Sequence, residues 1–226
     1  MPVDRALYPV NLVLAGKRCL VVGGGAVALQ KVRGLLEGDA VVHVVARELG
    51  APLRALVDEV GPDSAFGPRR PGSLTAEERP YRAGEVAGYW LAVTATDDAA
   101  TNQAVHDDGE AHRVWVNSAD DPERCTFILP ARVRQGPLLV TISTSGSSPA
   151  VATWLRRRFT EELGPEYATL IELLAGERAR IKAEGRSTEG LDWQAALDSG
   201  MLDLIRGGHL AEAKERLQAC LSSSSD

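Results

Sequence analysis

Several features that mark special environments are scarce or missing from this sequence. No apolar run approaches the roughly 18–20 residues needed to span a bilayer, and Lys17 and Arg18 flank only a short apolar stretch. Residues 1–9 show no basic segment followed by an apolar core, so no secretory leader is expected. There are 3 cysteines, Cys19, Cys125 and Cys220, far apart and without a CxxC pair. That excludes a disulfide frame or a zinc knuckle and predicts reduced thiols in a cytoplasmic protein. Histidine is also short: the 4 residues His43, His106, His112 and His209 form no HxxxH pair, so no structural metal site is implied. Basic charge is in deficit, with 25 Lys and Arg against 31 Asp and Glu, a net charge of −6. The balance excludes nonspecific nucleic-acid binding, which needs a basic field. An anionic small molecule stays open, because a local arginine cluster can dominate a cleft.

What is present is an ordinary globular composition, 44% hydrophobic and 25% charged over 226 residues, enough for one sizeable core with a smaller appendage. Apolar runs at 18–22, 41–45, 90–94 and 114–117 read as buried strands. Between the first two, Val27, Ala28, Val32, Leu35 and Leu36 share one helical face, with Gln30, Lys31, Arg33 and Glu37 opposite. Residues 51–60 and 99–111 read as further helices. Strands alternating with helices of this length predict right-handed crossovers and a mostly parallel sheet. Residues 61–88, rich in Pro and Gly, read as an irregular surface excursion with one short strand at 64–66. Strands are expected at 126–130 and 138–143, separated by 132–137 with its Gly136-Pro137 turn signal. Helices are expected at 149–163, capped by Ser148, and at 167–184, 192–199 and 210–221. Residues 185–190 read as a loop and the last five as a disordered tail.

The chemistry-bearing motif is the run Gly23, Gly24, Gly25, Ala26, Val27, Ala28, which follows a strand and opens a helix. Gly23 allows the tight turn, Gly25 lets backbone approach a pyrophosphate, and Ala28 is small enough for close helix–sheet packing. Backbone N–H groups at the helix start then meet the phosphates. The alternative is a packing turn with no ligand. At the end of the second strand, Glu48 suits the ribose hydroxyls of NAD, whereas Arg47 would welcome the 2′-phosphate of NADP; the residues leave both open.

Beyond this turn, the order of segments resembles the precorrin-2 dehydrogenase family, the N-terminal module of siroheme synthase. The resemblance is carried by Tyr8 to Leu12, the turn with Lys31, residues 44–46, the run Thr94, Ala95, Thr96, Asp97, Asp98 with Asn102, then Asn117, Asp120, residues 127–130 and 143–149. It covers about residues 8–165. It departs from the family at Gln30, where an Arg is frequent, and at Arg47, where Pro is common. It implies a Rossmann-like parallel-sheet domain at 1–117, a small β-containing dimerisation segment at 118–148, and a helical C-terminal domain at 149–226. It also implies oxidation of precorrin-2 to sirohydrochlorin with NAD, and a homodimer. Ala26 and Val27 are implied cofactor contacts, with Arg47 and Glu48 near the adenosine ribose and Thr94 to Thr96 on the nicotinamide side. Asp120 matches the family's catalytic aspartate, although Asp120 and Asp121 before Pro122 would also suit a plain turn.

Precorrin-2 carries many carboxylates, so donors are expected around it. Candidates are Asn117, Arg124, Arg132, Arg134, one or two of Arg156 to Arg158, and the Ser143, Thr144, Ser145 loop at a helix start. A serine of this loop is phosphorylated in a related bifunctional family, and Thr144 holds the matching position. Three functions compete: the dehydrogenase, a bifunctional enzyme that also inserts ferrous iron, and a non-enzymatic dinucleotide-sensing module. The third gives no role to Asp120 or to the 143–149 loop. Ending at Asp226, the sequence is expected to lack the methyltransferase part of a trifunctional siroheme synthase.

Overall fold

The structure, a computed structural model, describes residues 6–61, 72–119 and 121–223. Two compact units are formed, residues 1–129 with 145–147, and residues 130–144 with 148–226.

The first unit is built on five parallel strands: β1 (Arg18–Val22), β2 (Val41–Ala46), β3 (Leu74–Glu78), β4 (Leu91–Thr94) and β5 (Trp115–Ser118), in the order β3-β2-β1-β4-β5. The chain thus runs outward from β1 in one direction, then returns to its other side, which puts a topological switch point between β1 and β4. Side chains alternate across the sheet. Cys19, Val21, Val42, Val44 and Val93 pack with α1 (Ala26–Leu36) and α2 (Ala51–Val60), through Ala28, Val32, Leu35 and Leu53. Leu20, Val22, Val45, Ala92 and Val116 pack on the other face with Val105 of α3 (Ala99–His112). At Gly109 of α3, a Cβ would stand 2.3 Å from Val116 Cγ2, so glycine lets this helix lie close on β5.

β3 lies inside the stretch read as irregular. The strand expected at 64–66 falls outside the described residues. β3 pairs parallel to β2 from Val42↔Leu74 to Ala46↔Glu78. It is an edge strand with only Leu74 buried, so it has no apolar run to betray it.

In the second unit, β6 (Ala131–Gln135) and β7 (Leu138–Ile142) form an antiparallel hairpin turned at Gly136, φ +55°. The strand expected at 126–130 is not formed. Thr126 instead folds back on β5: its N–H donates to Val116 O at 2.8 Å, and its hydroxyl accepts from Val116 N–H at 2.7 Å. The strand begins one residue after Pro130, where Arg132 and Arg134 are exposed on either side of buried Val133. The helices α4 (Pro149–Glu162), α5 (Glu166–Ala183), α6 (Trp193–Asp198), α7 (Met201–Arg206) and α8 (Leu210–Ser223) follow. Leu170, Ile181, Ala196, Met201, Ile205, Ala213 and Leu217 form the core of this unit. α7 is an addition to the expected helices: it is 6 residues long and follows Gly200, with Gly207 just beyond, so local sequence reads as a loop. Among the described residues no helix is long and apolar enough to cross a membrane.

Candidate functional site

The site grows from the C-terminal end of β1. Its last four residues are buried, and the chain leaves the sheet at Gly23 with φ +133°. A Cβ at Gly23 would lie 2.2 Å from Ala95 O, and one at Gly24 would lie 1.9 Å from Glu48 O. The turn is therefore gripped on both sides, by the segment after β4 and by the segment after β2. Gly50 N–H bonds Gly24 O at 2.9 Å, and Gly23 N–H bonds Val45 O at 2.9 Å. Gly25 differs: nothing in the protein lies within 4 Å of where its Cβ would stand. It is the N-cap of α1 and supplies no side-chain cap, and the first turn holds no acidic residue. The leading N–H groups of the helix lack intrahelical partners and face a cleft of about 520 Å³ that Gly23, Gly24, Gly25, Ala26 and Val27 line. A glycine turn with open space above it, beside a helix start that lacks acid, fits a dinucleotide pyrophosphate.

The β2 side of the cleft carries Arg47 and Glu48, both exposed. Glu78, at the end of β3, fixes this segment. It accepts from Leu49 N–H at 2.8 Å and from both terminal nitrogens of Arg54, at 2.7 and 2.8 Å. The Arg54 bonds, then the Leu49 N–H, hold its carboxyl down from 4.5 to about 2. A depressed carboxyl lends stability above its ordinary range and loses it as pH falls through the folded value. Glu78→Gln is therefore expected to melt below the unsubstituted chain at pH 7, with the gap closing as pH falls from 4.5 toward about 2. Thermal melts of both chains across that range check this, and a gap independent of pH would contradict it.

The β4 side carries Thr96 and Asp98. Thr96 Oγ1 donates to Asn102 Oδ1 at 3.1 Å and accepts from Asp98 N–H at 3.0 Å. Asp98 caps α3, accepting from Ala100 N–H, Thr101 N–H and the Thr101 hydroxyl. These bonds, the Thr101 N–H foremost, lower its carboxyl below the usual range. Arg47 Nη2 reaches over to donate to Asp98 Oδ2 at 2.9 Å.

Gly23 to Val27, Arg47, Glu48 and Thr96 thus meet in one cleft. Thr94 is placed otherwise: it is buried and its hydroxyl donates to Ser118 Oγ at 3.2 Å. Asp120 lies outside the described residues. Around it in sequence, Asn117 is buried and donates to Phe127 O at 3.0 Å, while its Oδ1 has no partner among the described residues. Arg124 pairs with Asp121 and donates to Gln103 Oε1 at 2.8 Å. Cys125 is half-buried against Ser118, and burial pushes its thiol up. In the second unit, Ser143 and Thr144 follow β7. The Thr144 hydroxyl accepts from Ser148 N–H at 3.1 Å, while Ser148 Oγ caps α4 through Val151 N–H at 3.3 Å. Ser145 adopts φ +51°. Sequence reasoning gave no site role to Arg79, Tyr81, Asp98 and Thr101, which also line the cleft. Arg79 and Tyr81 escaped notice because β3, which delivers them, carries no strand signal.

A family model described as "Putative NAD(P)-binding" matches residues 10–131, over half the chain. The chain belongs to this family. Its cofactor is therefore a nicotinamide dinucleotide. A siroheme synthase of Nitrosococcus oceani is 34% identical over 94% of this chain, and one of Azotobacter vinelandii 34% over 93%. The chain spans about 43% of the length of these relatives. A solved structure titled SirC, precorrin-2 dehydrogenase, superposes with a TM-score of 0.70 over 95% of this chain and 98% of that one, at 24% identity. The two share a fold.

Proposed function

We propose that this chain is an NAD-dependent precorrin-2 dehydrogenase, oxidising precorrin-2 to sirohydrochlorin in siroheme biosynthesis. The observation that carries the reading is the glycine turn at the switch point, in a chain that resembles siroheme synthases over 94% of its length. That likeness runs far past the dinucleotide-binding residues 10–131, which a sensing module alone would not require.

Oxidation removes a hydride and a proton from the reduced macrocycle. When bound, the nicotinamide ring supplies the hydride acceptor. The glycine turn and the first N–H groups of α1 hold the pyrophosphate, and Glu48 accepts from the ribose hydroxyls, which selects NAD. Asp120, two residues beyond β5 in sequence, takes the proton and stabilises the positive charge that builds on the ring. Arg124 donates to a carboxylate of precorrin-2.

The working form is a homodimer in the cytoplasm. A two-stranded hairpin is marginal alone, and α4 buries no residue in the single chain, leaving Val151 and Trp154 exposed. A second copy would cover both. The test of the function is anaerobic incubation with enzymatically made precorrin-2 and either NAD or NADP, followed by sirohydrochlorin absorbance. Product with NAD, and slower turnover with NADP, supports the reading. Binding of dinucleotide without any product would favour a sensing module.

A further inference from the structure

We infer that Arg47 is a phosphate-binding arm that waits on Asp98 and passes to the pyrophosphate of the incoming dinucleotide, and is not a reader of a 2′-phosphate. The inference rests on the cleft being the dinucleotide site. Arg47 directly follows β2 and Asp98 lies four residues past β4, and these two strands flank β1 on opposite sides. A bond from one to the other must cross the end of β1, where the glycine turn begins. The 2.9 Å contact between Arg47 Nη2 and Asp98 Oδ2 does so, and both residues line the cleft. A 2′-phosphate would stand on the β2 side, beyond the ribose. The guanidinium is drawn the other way, over the turn.

The pair is built to exchange. The Arg47 side chain is 72% exposed, so solvent screens its bond to Asp98. Asp98 does not depend on that bond, since three donors from Ala100 and Thr101 already satisfy its carboxylate as the cap of α3. Arg47, in contrast, has no other side-chain partner among the described residues. The turn itself supplies dipoles but no cation, because residues 23–29 contain neither Lys nor Arg. A pyrophosphate offers the guanidinium two anionic groups and a bidentate geometry that one capped carboxylate cannot.

The test is calorimetric titration of the full chain with NAD, NADP and adenosine, the last lacking phosphate. Arg47→Gln is expected to weaken NAD and NADP alike by about tenfold, the loss of one charge-assisted contact, with adenosine unchanged. Asp98→Ser keeps a helix cap while freeing the arm, and is expected to tighten both dinucleotides. Arg47→Lys is expected to recover part of the loss. Weakening of NADP alone would overturn the inference and make Arg47 a 2′-phosphate reader; no change with either would reduce it to a surface ion pair. If the unsubstituted chain binds neither dinucleotide, the reading of the cleft itself fails.

Discussion

Alanine at Gly24 is expected to abolish dinucleotide binding and to destabilise the sheet that carries the site. The added Cβ would sit 1.9 Å from Glu48 O, which is backbone and has no rotamer by which to yield. Nor is the segment free to retreat, since Gly50 N–H is bonded to Gly24 O and Leu49 N–H to Glu78. Overpacking of this kind costs about 1–3 kcal/mol, which in a chain of this size lowers Tm by about 2–4 °C per kcal/mol. Gly25→Ala separates binding from stability. Its methyl meets nothing in the protein but enters the cleft, so Tm should hardly move while dinucleotide affinity falls. Melting curves and titrations of the two variants side by side check the pair. Unimpaired binding by Gly25→Ala would place the pyrophosphate elsewhere.

Asp120→Asn is expected to lower precorrin-2 oxidation by about 10²–10⁴-fold, the usual worth of a positioned proton acceptor, with dinucleotide affinity kept. The amide preserves size and hydrogen bonding and removes the basicity and the charge. Turnover and NAD titration on the same preparation separate the two effects. Unchanged turnover would remove Asp120 from the chemistry and leave Asp120 and Asp121 as turn residues ahead of Pro122.

Legibility in the sequence followed burial. The parallel strands β1, β2, β4 and β5 announce themselves through short buried apolar runs, such as Cys19 to Val22 and Leu91 to Val93, because strands covered on both faces are mostly apolar. β3 is covered on one side only and carries Glu77 and Glu78, so it has no apolar run to mark it as a strand. With it went Glu78, whose bonds fix the segment after β2. The hairpin was displaced for a related reason. Thr126 to Pro130 look strand-like, but Thr126 spends its hydrogen bonds on Val116, and the alternation that matters starts at Ala131. The glycine turn was legible in full, since its sequence context already held the strand and the helix. The Arg47–Asp98 bond was not: it joins residues 51 apart, with α2, β3 and β4 between them in the chain, and only the order of strands brings them together.

The most direct test of the central claim is to measure, in one anaerobic reaction, the NADH and the sirohydrochlorin formed from precorrin-2 and NAD. Equimolar appearance of the two products is expected, with loss of both together in Gly25→Ala. Sirohydrochlorin forming without NADH, or at an undiminished rate in that variant, would contradict it.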